Sequence, residues 1–290
     1  MQNGCIAKSL SRYSMTAYQA KTPDEKGFVA YTEEENGTWE ILYKRQMELI
    51  KGRACDAYMD GLKRLQMSSN SIPQLPDINH VLRKETGWEV VAVPALIPFG
   101  KFFELLANKQ FPAATFIRTR EEIDYLQEPD IFHEIYGHCP LLTNPVFAKF
   151  VENYGKLGLA ASKQERIYLA RVFWFTVEFG LIQQAEDDLK IYGAGVLSST
   201  EETVYSLESD KPLRKPFDLM TALRTPYRID ILQTTYFIIK QFEDIYNIMD
   251  SNIIEHIHHA IELGDFAANF PAKEILSKDK AEPPRNEHDC

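Results

Sequence analysis

The sequence predicts a mostly α (α+β) fold, a single domain of packed helices with a few short strands. Three observations lead there. Apolar residues recur every three or four positions over most of the chain, while β-branched runs are few and short. No internal repeat and no Pro/Gly/Ser-rich linker divides the 290 residues. At 44% hydrophobic and 12% aromatic, the chain can also fill a sizeable core.

Taken in order, residues 1–37 are polar and irregular, ending in Glu33-Glu34-Glu35-Asn36-Gly37, and read as an arm with turns. From Thr38, the spacing of Trp39, Leu42, Tyr43, Gln46, Leu49 and Ile50 predicts a helix, which Gly52 ends. A second helix starts near Cys55 and carries Tyr58, Leu62 and Leu65. After a loop from Ser69 to Pro76, Asp77 is expected to cap a short helix through Leu82. Residues 88–97 are β-branched and predict a strand interrupted by Pro94. Lys101 to Asn108 suits a helix, Phe116 to Arg118 a short strand, and Pro129 the first turn of the next helix.

Residues 145–158 and 164–186 have strong helical periodicity, which Gly193-Ala194-Gly195 breaks. Residues 196–229 read as short extended pieces with proline-marked turns, and helices are expected over about 231–249 and 251–263. Residues 272–290 are polar and read as a solvated tail, leaving 38–271 as the domain.

A net charge of −10 argues against nucleic acid, whose phosphates need a basic face. The four cysteines, at 5, 55, 139 and 290, form no CxxC and read as reduced thiols. No segment has the length of a signal-peptide core or of a membrane span, so no membrane partner and a cytoplasmic location are expected.

The chemistry concentrates in residues 129–140. In HExxH zinc proteases the two histidines are four apart, about 40° around a helix, and face one metal. Here His133 and His138 are five apart, about 140° on a continuous α-helix. On that geometry they converge only if the helix ends between them, and Gly137 and Pro140 are residues that end helices. With His138 turned inward, Cys139 points away. A third ligand should be buried and ionisable, and Glu178 is the one carboxylate in the apolar stretch 171–182. Arg171 lies seven residues back, roughly 10 Å along a helix, too far to neutralise it.

Two imidazoles and a carboxylate leave three metal positions open, the pattern of non-haem iron(II) oxygenases. A structural zinc site would want four protein ligands. Residue types alone keep other readings open. The histidines can be a hydrogen-bonded pair and Glu178 the partner of an arginine from elsewhere. A zinc hydrolase would use Glu134 as its base, and a helical binding module would need no metal. His256, His258 and His259 flank a stripe of Ile253, Ile257 and Ile261 and read as a solvated face. An oxygenase needs electrons, yet the chain has no GxGxxG after a strand, no clustered cysteines and no haem motif, so a diffusible reductant is expected.

HEIYGH at 133–138, Glu178 within WFTVEFG and YGAGVLSS at 192–199 occur in that order, flanked by further motifs. These are IPQLPDINHVL at 72–82, ATFIRT around Arg118, EPDIFHE at 128–134 and DFAANFP at 265–271. Over roughly residues 38–271 the chain resembles the pterin-dependent aromatic amino acid hydroxylases. The resemblance implies a catalytic domain around a non-haem iron(II) site, with O2 and tetrahydrobiopterin or a related tetrahydropterin. It implies His133, His138 and Glu178 as ligands and Glu134 as a catalytic carboxylate beside the pterin. Phe102 would stack on the pterin ring, and Leu96 and Ile97 would line its edge. Arg118 would clamp the amino acid carboxylate and Asp130 would orient that arginine. Trp174 would help form the amino acid pocket, with Ser198 beside the iron.

The implied reaction is hydroxylation of L-phenylalanine to L-tyrosine. Ile229 is apolar where tyrosine hydroxylases carry an acidic residue, which suits an unsubstituted ring. Phe173 stands where animal members have tyrosine. There is no room for the regulatory domain that precedes the catalytic domain in animal members, and no long C-terminal coiled-coil helix. A monomer or dimer is therefore expected, not a tetramer.

Overall fold

The first helix, α1 (Glu33–Leu49), starts five residues before the apolar spacing does. Thr32 and Glu35 form a reciprocal capping box, and Glu33, Glu34 and Glu35 fall in the first turn, where the helix dipole favours acid. The acidic end of the expected arm is thus the start of a helix. The computed structural model describes residues 18–94, 97–124, 128–250 and 252–271. The arm before Tyr18 and the expected tail lie outside the described residues.

Helix α2 (Asp56–Arg64) follows, then α3 (Leu75–Glu85). Pro76 occupies the first turn of α3, so Asp77 lies inside the helix and is not its cap. Strand β1 (Glu89–Val93) stops before Pro94 and pairs in parallel with β2 (Gln110–Ala114), with α4 (Phe99–Ala107) between them. The expected strand at Phe116–Arg118 does not form. Its backbone groups are taken by the next segment instead: Phe116 O accepts from Ile131 N–H at 2.8 Å, and Arg118 N–H donates to Asp130 Oδ2 at 3.0 Å.

Pro129 lies outside the helix it was expected to open. The histidine segment is a π-helical stretch, Phe132–His138, which continues without a break into α5 (Cys139–Leu142). Gly137 and Pro140 therefore do not end the helix. Phe132, Ile135, Tyr136 and His138 are buried. Trp39 packs edge-on against Phe132 at 5.3 Å, and Tyr58 Oη donates to Tyr136 O at 2.6 Å, so α1 and α2 hold this stretch from behind.

Beyond it lie α6 (Pro145–Ala160) and α7 (Lys163–Phe173), the latter running on into a π-helical turn at Trp174–Glu178. The expected helix over 164–186 ends there. Residues 181–191 form instead an antiparallel hairpin of β3 (Leu181–Ala185) and β4 (Asp188–Ile191). Residues 196–229 are more helical than expected, with α8 (Ala194–Leu197), α9 (Thr200–Glu208), β5 (Leu213–Pro216) and α10 (Leu219–Arg224).

The expected helix over 231–249 is a strand followed by a helix, β6 (Thr235–Ile239) and α11 (Phe242–Asp250). The run Thr-Tyr-Phe-Ile-Ile is β-branched and aromatic, and it fills the interior of a sheet ordered β4-β3-β6-β5. The last helix, α12 (Ile253–Leu263), buries Ile253 and Ile257. On it, His258 and His259 are exposed, with His258 Nε2 2.7 Å from a Glu165 oxygen. Cys55 and Cys139 are free and buried. Among the described residues no helix is long and apolar enough to cross a membrane.

Helices α4 and α6 meet where α6 has no side chain. A Cβ on Gly155 would lie 2.4 Å from the backbone nitrogen of Ala107. Gly155→Ala in an open helix would add about 1 kcal/mol of stability from propensity. Here the two backbones must part, at a cost of roughly 1–3 kcal/mol. The urea midpoint of Gly155→Ala should therefore fall below that of the parent, and a rise would refute this account of the contact.

Candidate metal centre and its cavity

A π-helical turn closes its hydrogen bonds over five residues rather than four, so residues five apart stack on one face. This brings together the two histidines that an α-helix would separate. The Nε2 atoms of His133 and His138 are 3.1 Å apart. Glu178 lies across both, with one oxygen 3.3 Å from His138 Nε2 and the other 3.6 Å from His133 Nε2. Its own turn is also widened: Phe179 N–H donates to Trp174 O, five residues back, at 2.9 Å. The Gly193–Gly195 segment closes over this turn. A Cβ on Gly193 would sit 2.4 Å from Glu178 O, so only glycine permits the approach, and the Gly195 backbone N–H helps hold the Glu178 carboxyl low.

The His133 tautomer follows from its neighbours. Ser198 Oγ donates its single hydrogen to Ala194 O at 2.8 Å. Facing His133 Nδ1 at 2.9 Å, the same oxygen must accept, which puts the imidazole hydrogen on Nδ1 and the lone pair on Nε2. Burial pushes His133 down to about 4, so the ring is neutral near pH 7. Burial pushes Glu178 up, but His138, His133 and the Gly195 N–H outweigh it and hold the carboxyl below its ordinary value. Among the described residues, the ion-pair partners of Glu178 are these two histidines. Arg171 is committed to Asp265 at 2.7 Å. An ionised carboxylate beside the neutral His133 imidazole is short of positive charge.

A divalent cation would supply that charge, and the geometry suits one. Ligand atoms about 2.1 Å from a metal and at right angles stand about 3 Å apart. The observed edges of 3.1, 3.3 and 3.6 Å are close to that. Donor atoms of His133, Glu134 and His138 also fall within 4.8 Å of one another. Glu134 differs from Glu178 in charge preference: burial pushes its carboxyl well up, and the carboxylates of Glu178 and Asp130 push it further. Two imidazoles and Glu178 form the donor set that can hold a metal, with Glu134 beside it.

A cavity of ≈ 460 Å³ opens on this centre, lined among others by His133, Glu178, Arg118, Trp174 and Ser198. Arg118 and Asp130 form a buried pair, Asp130 being 0% exposed and Arg118 9%. Nε and Nη2 of the arginine donate to the two carboxylate oxygens at 2.9 and 3.0 Å. Asp130 thus takes one edge of the guanidinium and leaves the Nη1 edge of a cavity-lining residue for another anion.

The expected pterin residues are less tightly gathered. Phe102 packs edge-on against Phe173 at 5.5 Å, and Phe173 lies 6.4 Å from the His138 ring, so Phe102 is one ring removed from the histidines. Ile97 is partly exposed in the coil before α4, and Leu96 lies outside the described residues. Sequence reasoning missed several cavity residues, including Phe179, Ser199 and Gln233. The one available signal was general: a buried indole N–H needs an acceptor, and Gln233 Oε1 accepts from Trp174 Nε1 at 2.9 Å.

Removing Asp130 leaves a buried guanidinium unpaired. Asp130→Ala should cost roughly 3–5 kcal/mol, read from urea unfolding at pH 7. Burial raises the Asp130 carboxyl, but Arg118 holds it below its ordinary value. Its contribution is therefore present above the unfolded carboxyl pKa and lost as pH falls through the lower folded one. The gap between parent and variant should shrink below about pH 4.

The chain matches the family described as biopterin-dependent aromatic amino acid hydroxylase over residues 5–272. It is 55% identical over 259 residues to the phenylalanine-4-hydroxylase of Pseudomonas aeruginosa, covering 89% of this chain and 98% of that protein. With the Vibrio cholerae phenylalanine-4-hydroxylase it shares 49% identity over 269 residues, 93% of each chain. The apo phenylalanine hydroxylase of Colwellia psychrerythraea superposes with a TM-score of 0.85 at 52% identity, covering 88% of this chain and 98% of that one. The Chromobacterium violaceum phenylalanine hydroxylase with bound iron(III) and oxidised 7,8-dihydrobiopterin gives 0.79 at 43% identity, covering 87% and 93%. Matched over nearly its whole length, by sequence and by fold, the chain belongs to the biopterin-dependent aromatic amino acid hydroxylases.

Proposed function

We propose that the protein is a tetrahydropterin-dependent phenylalanine 4-monooxygenase, which hydroxylates L-phenylalanine to L-tyrosine with O2. One observation carries the reading: two imidazoles and a carboxylate meet in a triangle on the wall of a cavity that also presents a buried arginine fork. Relatives named phenylalanine-4-hydroxylase support it, as does the related enzyme with iron(III) and dihydrobiopterin.

In this reading His133, His138 and Glu178 would hold iron(II) as its protein ligands. When bound, the iron and the tetrahydropterin supply the electrons and the activation of O2. The chain's own residues bind and orient. The free edge of Arg118 takes the amino acid carboxylate, and Asp130 keeps the guanidinium plane fixed. Trp174 packs against the aromatic ring of the substrate. Phe102 would stack on the pterin, Ile97 would line its edge, and Glu134 would offer a carboxyl beside it. Ser198 fixes the His133 tautomer. The catalytic domain is residues 38–271, extended back to Glu33 by the capped start of α1. The enzyme acts in the cytoplasm as a monomer or dimer, with no nucleic-acid or membrane partner.

Product analysis tests this directly. Iron-loaded protein given a tetrahydropterin and O2 should convert phenylalanine to tyrosine, and tyrosine formation should stop when the pterin is omitted. Stoichiometric zinc together with peptide hydrolysis would overturn the reading. His133→Ala should lose both bound iron and product. Arg118→Lys keeps the charge but not the fork, so its KM for phenylalanine should rise about tenfold or more.

A further inference from the structure

Trp174 is fixed on three sides. Its ring stacks on Tyr227 at 4.6 Å and lies against Phe179 at 4.5 Å, and its Nε1 donates to Gln233 Oε1. Gln233 is itself held. Both hydrogens of its amide are committed, to Arg228 O at 2.9 Å and Ile231 O at 3.2 Å. The oxygen must then be the atom facing the indole, so the amide orientation follows from its neighbours. The backbone N–H of Gln233 donates to Glu202 Oε1 at 3.0 Å, and Tyr236 Oη donates to the same oxygen at 2.5 Å.

Glu202 is 4% exposed, on α9, and none of the roles assigned above uses it. Burial pushes its carboxyl up to about 7, against the two hydrogen bonds that favour the charged form. A buried acid is costly to keep. What it provides is a single oxygen that satisfies a buried backbone N–H and a buried phenol, tying α9 to the chain entering β6. An apolar side chain of the same size would leave both donors unsatisfied.

We propose that Glu202 is a positioning residue for the aromatic substrate, holding Gln233 so that Gln233 in turn sets the plane of Trp174 in the cavity wall. The inference rests on the phenylalanine-hydroxylase reading. It requires an acceptor oxygen at position 202 and no charge.

Iron-loaded parent and variants are compared with phenylalanine and a tetrahydropterin. Glu202→Leu should raise KM for phenylalanine about fivefold to tenfold, the effect of one lost buried hydrogen bond. KM for the tetrahydropterin should stay within about twofold, and the tyrosine formed per pterin oxidised should fall. Glu202→Gln keeps Oε1 and should restore both KM for phenylalanine and the coupling. Gln233→Leu should reproduce Glu202→Leu, and the double variant should be no worse than the weaker single one, since both break one chain of contacts.

A Glu202→Leu protein that melts earlier but keeps its KM and coupling would overturn the proposal, as would failure of Glu202→Gln to restore them. If Glu202→Leu does not fold, Gln233→Leu decides, and an unchanged KM for phenylalanine overturns it. A parent that forms no tyrosine sinks the hydroxylase reading and this inference together. An active parent with unaffected variants sinks this inference alone.

Discussion

Two side chains five residues apart cannot share a face of an α-helix, and the site depends on how the chain meets that constraint. It widens the helix by one residue per turn over Phe132–His138. The widening has a cost, because π-helical turns are rare and pack poorly alone. It is carried by the aromatic stack behind the stretch, where Phe132 and Tyr136 lie face to face at 4.7 Å and Trp39, Tyr43 and Tyr58 close around them. The second widened turn, at Trp174–Glu178, is enclosed from the other side by the Gly193–Gly195 segment. The donor triangle is the meeting point of two widened turns, each clamped by a different part of the core.

Three carboxyls crowd this small region, and their environments separate them. Asp130 is matched by a guanidinium on both oxygens. Glu178 is flanked by imidazoles and by a backbone N–H, while Glu134 has no such partner among the described residues and shifts towards its neutral form. Sequence distance does not predict this division, since Asp130 and Glu134 are four residues apart on the same segment. Neighbouring elements decide it: Arg118 arrives from the coil after β2, and His133 and His138 turn together towards Glu178.

Much of the site was legible in residue types. His133, His138 and Glu178 stood out because an ionisable group in an apolar run needs a partner, and Arg118 and Asp130 stood out by family resemblance. The broken helix between the histidines was a misreading of the same spacing: an α-helical ruler applied to five residues leaves a break as the only solution, and the wider turn makes it unnecessary. The helices expected over 164–186 and 231–249 failed for another reason. Leu181-Ile182 and the Thr235–Ile239 run are buried on both faces of a sheet, and a buried strand and a buried helix look alike in a short apolar run. Gln233 was not legible at all, because a lone glutamine next to such a run carries no sign that an indole 59 residues earlier needs its oxygen.

The parallel pairing of β3 with β6 bears on how the protein is made. Leu181 and Ile182, three and four residues after Glu178, pair on that side with Ile238 and Ile239. A ribosome that has released the histidines and the carboxylate has not yet released the strand that anchors the carboxylate's turn. For more than fifty residues of synthesis, the ligands exist on a nascent chain whose apolar hairpin has an open edge. A site shaped from both sides therefore exists only once residues through Ile239 have emerged, more than fifty residues after Glu178.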